Sequence, residues 1–404
     1  MRLVRLEADL EALAAFRDSA APGWTRPVFS GPYLASRDWV AGRMADAGLA
    51  VFRDAAGNLV GTLPGADGPA LVTGSHTDSV NGGGRFDGPL GVLGAIEAAR
   101  CIAKSGTQLQ HHLRVVDFLG EEPNDFGLSC IGSRAVAGNL TEQQLSLKDR
   151  GGRTLGDALR SAGGSPEAVA NAAWQPGEVA AFVELHIEQG PILEREGVPL
   201  GIVSGIAGIA RAKLTFSGQA DHAGTTPMDS RHDALCAAAE AILAVERLAS
   251  DGTGVGTCGR LEVQPGALNV VPGRADLWCE FRSTDPAWLD SRLDLLEAEA
   301  AGAGRRRGVA TAFERLSRTE PVATSPEVRA AMERGIAGLS LDWRTLASGA
   351  GHDAVQMARL GPVGMIFVPS RGGRSHCPEE WTEPAHLEAG VAALLATLLE
   401  LDRA

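Results

Sequence analysis

The sequence predicts an α/β protein. Its larger domain has a mostly parallel mixed sheet flanked by helices, and an α+β domain of ferredoxin-like order is inserted into it. Three observations predict this. Strand-like apolar runs alternate with helical ones towards both ends of the chain. Four of those runs release an ionisable residue at their C-terminal end. The middle of the chain follows the order β-α-β-β-α-β.

Taken in order, MRLVRLEADLEALAAF is interrupted by acids and reads as an amphipathic helix, not a signal peptide. PALVTGSH is a short apolar run ending in His76. PLGVLGAIEAARCIAKSG follows, with Leu90, Leu93, Ile96 and Ala99 at helical spacing. HLRVVDFLGEE is a second strand-like run, ending in Glu121 and Glu122, and EVAAFVELH is a third, ending in His186. VGMIFVPSRGGRSH is the fourth, with His376 just beyond it. Ligands in open α/β sheets bind at the C-terminal strand edge. His76, Asp87, Glu121, Glu122, His186 and His376 are therefore expected in one crevice.

In the middle, RAKLTFSGQ, TCGRLEVQPG, RADLWCEFRS and VATAFERL read as strands. RHDALCAAAEAILAVERLA and PAWLDSRLDLLEAEAAGA read as helices. The expected division is a discontinuous domain of residues 1–206 and 321–404, with 207–320 inserted.

With 404 residues, 44% of them hydrophobic, the chain can bury a large core. Its formal charge of -13, without a long basic run, argues against nucleic acid or an anionic membrane as partner. Arg305, Arg306 and Arg307 read as a solvated helix end. No apolar run is expected to span a membrane. The six cysteines lie far apart with no CxxC pair, which suits a reduced, cytoplasmic setting.

Three histidines with carboxylates form a transition-metal ligand list, suited to zinc, manganese or similar ions. Asp78, two residues after His76, is placed to accept the second imidazole N–H. Of two adjacent glutamates ending a strand, one can ligate while the other acts as general base. Taken singly, each residue has an ordinary explanation: a hydrogen-bonded His, a solvated Glu-Glu turn, a glycine loop at Gly82, Gly83 and Gly84. Four strand ends agreeing on one residue class is what points to a site.

The stretches GSHTDSVNGGGRFDG, FLGEE, ELHIEQGPILE, GQADHAGTTPMDSRHDA, PGALNVVPG, EFRSTD, SGAGHDAVQMA and MIFVPSRGGRSHCPEE complete a pattern. The chain resembles the amidase/hydantoinase/carbamoylase branch of the dinuclear-metal aminoacylase and carboxypeptidase superfamily, from about residue 25 to the C-terminus. The resemblance implies two divalent ions, zinc or manganese, with cobalt or nickel as alternatives. One ion would see His76, Asp87 and His186, the other Asp87, Glu122 and His376. Glu121 would be the general base. His222 would reach the neighbouring subunit's site and steady an oxyanion, so a homodimer is implied. Asn269 and Arg282 would hold a substrate carboxylate, and Gln189 would line the pocket. The larger domain would then be the metal-binding catalytic domain and the inserted one a lid and dimerisation domain.

The implied substrate is a small carboxylate-bearing ureide, an N-carbamoyl-L-amino acid, with allantoate or a β-ureido acid as alternatives. An aminoacylase or dipeptidase, or a non-catalytic binding protein, are further alternatives. The stretch EEPNDFGLSCIGSR departs from the branch, where Gly and a nearby Arg-Phe often follow the glutamates. His352 reads as pocket lining or structural, His232 as structural, and His111, His112 and His386 as surface residues. Without the resemblance, Arg282 reads as a surface ion pair and Asn269 as a turn residue.

Overall fold

The computed structural model describes residues 3–403. It divides into two compact units: the first runs to Ser204 and resumes at Thr324, and the second is Gly205–Ala323. The expected boundaries were 206/207 and 320/321. Pairing of Gly205 with Ala323 and of Ile206 with Val322 draws both short flanks into the second unit.

The first unit opens with α1 (Leu3–Ala14), which buries Leu6, Leu10, Leu13 and Ala14. Met1 and Arg2 of the expected helix lie outside the described residues. Next comes α2 (Gly31–Asp46), whose N-terminus is capped by the Ser30 hydroxyl. Its strands are β1 (Ala50–Arg53), β2 (Leu59–Leu63), β3 (Ala70–His76), β4 (Leu113–Phe118), β5 (Val179–Ile187) and β6 (Leu200–Ile206). β4, β3 and β5 are adjacent and parallel. Beyond β5 lies the later strand Val363–Val368, also parallel. These are the four runs that end in ionisable residues. Register aligns their ends, with His76 opposite Phe118 and His186 opposite Phe367. Antiparallel strands flank them: β1 and β2 beyond β4, and β6 beyond Val363–Val368. β1, β2, β6 and the strand Trp343–Ser348 fall in segments not read as strands from the sequence.

Helix α3 (Pro89–Ser105) starts with Pro at its first turn and stops at Gly106 in the left-handed conformation. It is buried through most of its length and packs on β3 and β5. Pro384–Asp402 is long and apolar enough to cross a membrane by length and composition, which corrects the expectation that no run would be. It packs instead against α3 and the strand Val363–Val368 and buries Leu387, Val391, Leu394 and Leu398. A core helix buried on several sides carries the same apolar composition as a membrane span.

In the second unit, β7 (Gly208–Ser217), β9 (Gly254–Gln264), β11 (Arg274–Ser283) and β12 (Ala310–Thr319) form an antiparallel sheet. Two-residue strands β8 (Asp221–His222) and β10 (Val270–Val271) pair with each other. The sheet order β12-β7-β11-β9 is fourth-first-third-second, the split βαβ arrangement. Helices Ala234–Leu248 and Pro286–Arg307 bury Ala237, Ala241, Leu289 and Leu293 in a core shared with Leu214, Phe216, Leu277 and Phe281. The longer helix ends on Arg305–Arg307 before left-handed Gly308, and Arg306 and Arg307 pair with Glu240.

Candidate active site

The carboxylate-rich end of the parallel sheet is assembled by four loops. β3 delivers His76, and the glycine loop after it delivers Asp87. Gly88 sits at φ 80, and a Cβ there would lie 2.5 Å from the His76 ring. Only glycine both adopts that conformation and lets the His76 and Asp87 side chains close up. The turn after β4 delivers Glu121 and Glu122, whose backbone N–H groups donate to the two Asp78 carboxylate oxygens at 3.1 and 3.2 Å. His76 Nδ1 lies 3.1 Å from the Asp78 carbonyl and 3.4 Å from its carboxylate. Asp78 was expected to accept the second His76 N–H and fix its tautomer. In the structure the carbonyl is nearer, and the carboxylate's main work is holding the Glu121–Glu122 turn.

His76, Asp87 and His186 place one donor atom each within 4.8 Å of one another, and so do Asp87, Glu122 and His376. Asp87 belongs to both groups and divides its oxygens between them. Oδ1 is 3.2 Å from His186 Nε2 and 3.7 Å from His76 Nε2, while Oδ2 is 3.2 Å from His376 Nε2. Glu122 Oε1 is 3.4 Å from His376 Nε2. His186 Nε2 is buried and finds no hydrogen-bond partner among the described residues, although Asp87 is 3.2 Å away. Such misaligned approach of a donor pair suits two groups aimed at a common cation more than at each other. The second ring nitrogen of His186 is 2.9 Å from the Ile187 carbonyl, a contact that fixes the ring's orientation. The donor set of imidazole and carboxylate fits first-row divalent ions.

Glu121 belongs to neither group, and its Oε2 lies 3.8 Å from His76 Nε2. Burial pushes its carboxyl well above the ordinary range; His76 opposes this and Glu122 adds to it. Burial would also raise Asp87, but His186 and His376 beside it hold it well below that range. The Cys130 thiol contacts Glu121 Oε1 at 3.4 Å, and its backbone N–H donates to the Glu121 carbonyl. No cysteine role was read from the sequence.

Glu184, His186 and His352 form a third cluster of donors. Both Glu184 oxygens are already engaged, by the Ser75 hydroxyl at 2.7 Å and Ala354 N–H at 3.1 Å. The His352 ring packs edge-on against His186 at 4.6 Å, and burial lowers its basicity well below that of free imidazole. This cluster backs His186, and His352 has the structural place expected of it.

Gln189 was read as pocket lining. It adopts φ 58, and its amide Nε2 donates to Asp87 Oδ2 at 2.6 Å. The departure after Glu122 folds around Asn124, whose side chain bonds the Glu122 and Leu128 carbonyls. Asp125 turns to solvent and pairs with exposed Arg150 at 3.2 Å.

Of the residues in the second unit, His222 and Asn269 are brought together by the β8–β10 pair, and Ala223 N–H donates to the Asn269 carbonyl at 2.9 Å. His222 Nδ1 accepts Gly224 N–H at 3.0 Å and Thr225 N–H at 3.2 Å. With Nδ1 an acceptor, the proton of the neutral ring sits on Nε2, leaving an exposed donor. Arg282 pairs with Glu280 at 2.6 Å. It is not beside Asn269. Arg274 at one end of β11 pairs with Ser217, whereas Arg282 pairs with Ile209. The His222 turn leaves from the Ser217 end, so about eight residues of extended strand, roughly 27 Å, separate the two. Within one chain, Asn269 and Arg282, both expected at a substrate carboxylate, therefore lie towards opposite ends of the strand. Sequence spacing carries no record of which strand end a loop returns to.

The family model described as Peptidase family M20/M25/M40 matches residues 72–400. The chain belongs to this family. Its M20/M25/M40 relatives include the N-carbamoyl-L-amino acid amidohydrolase of Geobacillus stearothermophilus, 41% identical over 98% of each chain. The ureidoglycolate hydrolase of Oryza sativa is 38% identical over 98% of this chain and 84% of its own. Among solved structures, an amidase of the hydantoinase/carbamoylase family from Burkholderia multivorans superposes with a TM-score of 0.92. It is 35% identical over 99% of this chain and 98% of that one.

Proposed function

We propose that this chain is a metal-dependent amidohydrolase that cleaves the ureido C–N bond of N-carbamoyl-L-amino acids, releasing amino acid, ammonia and carbon dioxide. The observation that carries the reading is Asp87, whose two oxygens serve two separate donor groups while Glu121 stands outside both. His76, Asp87 and His186 would hold one divalent ion, and Asp87, Glu122 and His376 the other. Zinc and manganese suit these donors, with cobalt and nickel as alternatives. Such ions, when bound, acidify water and polarise the carbonyl. Glu121 takes the proton of the attacking water on a carboxylate oxygen and returns it to the leaving nitrogen. The exposed Nε2–H of His222 donates to the oxyanion that develops on the ureido oxygen. The Arg282 guanidinium grips the substrate carboxylate in a two-point fork, which requires it to exchange Glu280 for substrate. Asn269 adds a neutral amide donor.

A small substrate does not reach both ends of β11. The separation of Arg282 from His222 and Asn269 therefore supports a homodimer, in which one copy supplies Arg282 and the other the His222–Asn269 turn. The names of the two relatives given above, a carbamoyl amino acid amidohydrolase and a ureidoglycolate hydrolase, share the ureide class and differ within it. An ammonia assay on N-carbamoyl-L-amino acids, allantoate, ureidoglycolate, β-ureidopropionate and dipeptides, with each divalent metal, tests the reading. Ammonia from the carbamoyl amino acids before the others supports it. Turnover of dipeptides alone would favour an aminoacylase or peptidase, and no product from any substrate a binding protein.

A further inference from the structure

We propose that Glu380 is a positioning residue for Asp87, clamping its backbone and its carboxylate to the loop that carries His376. The proposal rests on the reading of Asp87 as the shared metal ligand. Glu380 is 2% exposed. Its Oε1 accepts the N–H groups of Phe86 at 2.8 Å and Asp87 at 3.1 Å. The Ser375 hydroxyl lies 2.7 Å from Glu380 Oε2 and 2.7 Å from Asp87 Oδ2. These contacts close a ring. Asp87 is held at its amide by one Glu380 oxygen, while the Ser375 hydroxyl, with a single proton to donate, sits between the other oxygen and the Asp87 carboxylate. Ser375 precedes His376 in the chain, so the same ring ties together two ligands of the second donor group that lie far apart in sequence.

Gly84 gives independent evidence that this geometry is built in. A Cβ at Gly84 would lie 2.1 Å from the Glu380 carboxyl carbon. The loop thus leaves room for one specific side chain from near the C-terminus. Glu379, its neighbour, is exposed and pairs with Arg374 at 3.0 Å, and has no such place.

A residue that merely stabilises the fold predicts different results from one that aims Asp87. The purified full-length chain is stripped with a chelator, and zinc or manganese is titrated back against a chromophoric competitor. Glu380→Ala should weaken metal affinity by about ten- to a hundredfold, the usual effect of losing an outer-shell partner. The melting temperature of its metal-free form should stay within a few degrees of the metal-free parent, while the rise on adding metal shrinks. Glu380→Gln should recover most of the affinity. Its amide oxygen still accepts both N–H groups, and its NH₂ donates to Ser375 Oγ, leaving the hydroxyl proton for Asp87. Gly84→Ala should weaken metal binding in the parent but add little on top of Glu380→Gly, because the carboxyl group and the Cβ it strikes are then both gone.

The proposal is overturned if Glu380→Ala binds metal like the parent, if Glu380→Gln is as weak as Glu380→Ala, or if the Gly84 and Glu380 effects simply add. A parent chain that binds no divalent metal would instead remove the metal-centre reading, and this inference with it.

Discussion

Both units concentrate charged side chains at a sheet, but they treat them in opposite ways. On the second unit's sheet, Arg274 pairs with Asp276 at 2.7 Å and Arg211 with Glu280 at 2.9 Å. The Arg315–Asp294 pair at 2.6 Å is 47% and 69% exposed. Each charge there has a partner or water, and forming a pair changes little. At the end of the parallel sheet in the first unit, His76, Asp87, Glu121, Glu122 and His186 are all buried. Here acids sit beside acids, and His186 Nε2 has no hydrogen-bond partner among the described residues. Burial of carboxylates without matching cations is unfavourable in a low-dielectric site. The difference teaches that residue type does not make a site. Desolvated groups aimed at a shared point do, because a bound cation there recovers what burial costs.

Breaking this contrast should show most at Glu121. Glu121→Gln is expected to bind metal as the parent does and to lose turnover by about 10²- to 10⁴-fold, measured as ammonia release beside metal content. Unchanged turnover would remove the base assignment. Stripping the divalent metal comes next. It should abolish activity and lower the melting temperature of the first unit. Restoring free metal to 100-fold over its dissociation constant should return about 2.7 kcal/mol.

Arg282→Lys keeps the charge and loses the fork, so KM should rise by about tenfold with a smaller change in kcat. His222→Ala mixed with an inactive Glu121→Gln chain sharpens the dimer reading. Activity recovered in the mixture supports exchange of groups between copies, and none recovered argues against it.

The exposed pairs should matter least. Arg315→Ala is expected to shift stability by no more than about 0.5 kcal/mol in denaturant titration. Asp276 marks the exception within the second unit. Arg274 beside it, against a smaller opposing effect of burial, holds its carboxyl at about 2. With a folded value below the unfolded one of about 3.9, its contribution is complete above about pH 4 and is lost as pH falls through 2. Asp276→Asn should therefore flatten the acid limb of stability between those values.

Much of this was legible in the chain itself. Short apolar runs marked the four central strands, helical spacing marked α3, and the succession of strand-like and helical stretches marked the β-α-β-β-α-β order, because such patterns report which parts of a segment avoid water. The same runs placed His76, Glu121, Glu122, His186 and His376 at strand ends. β1, β2 and β6 were not legible: they are short or glycine-bearing and take their strand character from the partner they lie against.

Local chemistry along the chain thus determined the elements and the kinds of side chain their ends would present. Only the tertiary structure decided which Asp87 oxygen faces which donor group and that Asp78 holds the Glu121–Glu122 turn. It alone set Arg282 far from Asn269 and placed Glu380, rather than Glu379, beneath Asp87. Each of these depends on strand order and on loops that meet from distant parts of the sequence. A periodicity or a motif describes neighbours along the chain, whereas desolvation and hydrogen bonding act on neighbours in space.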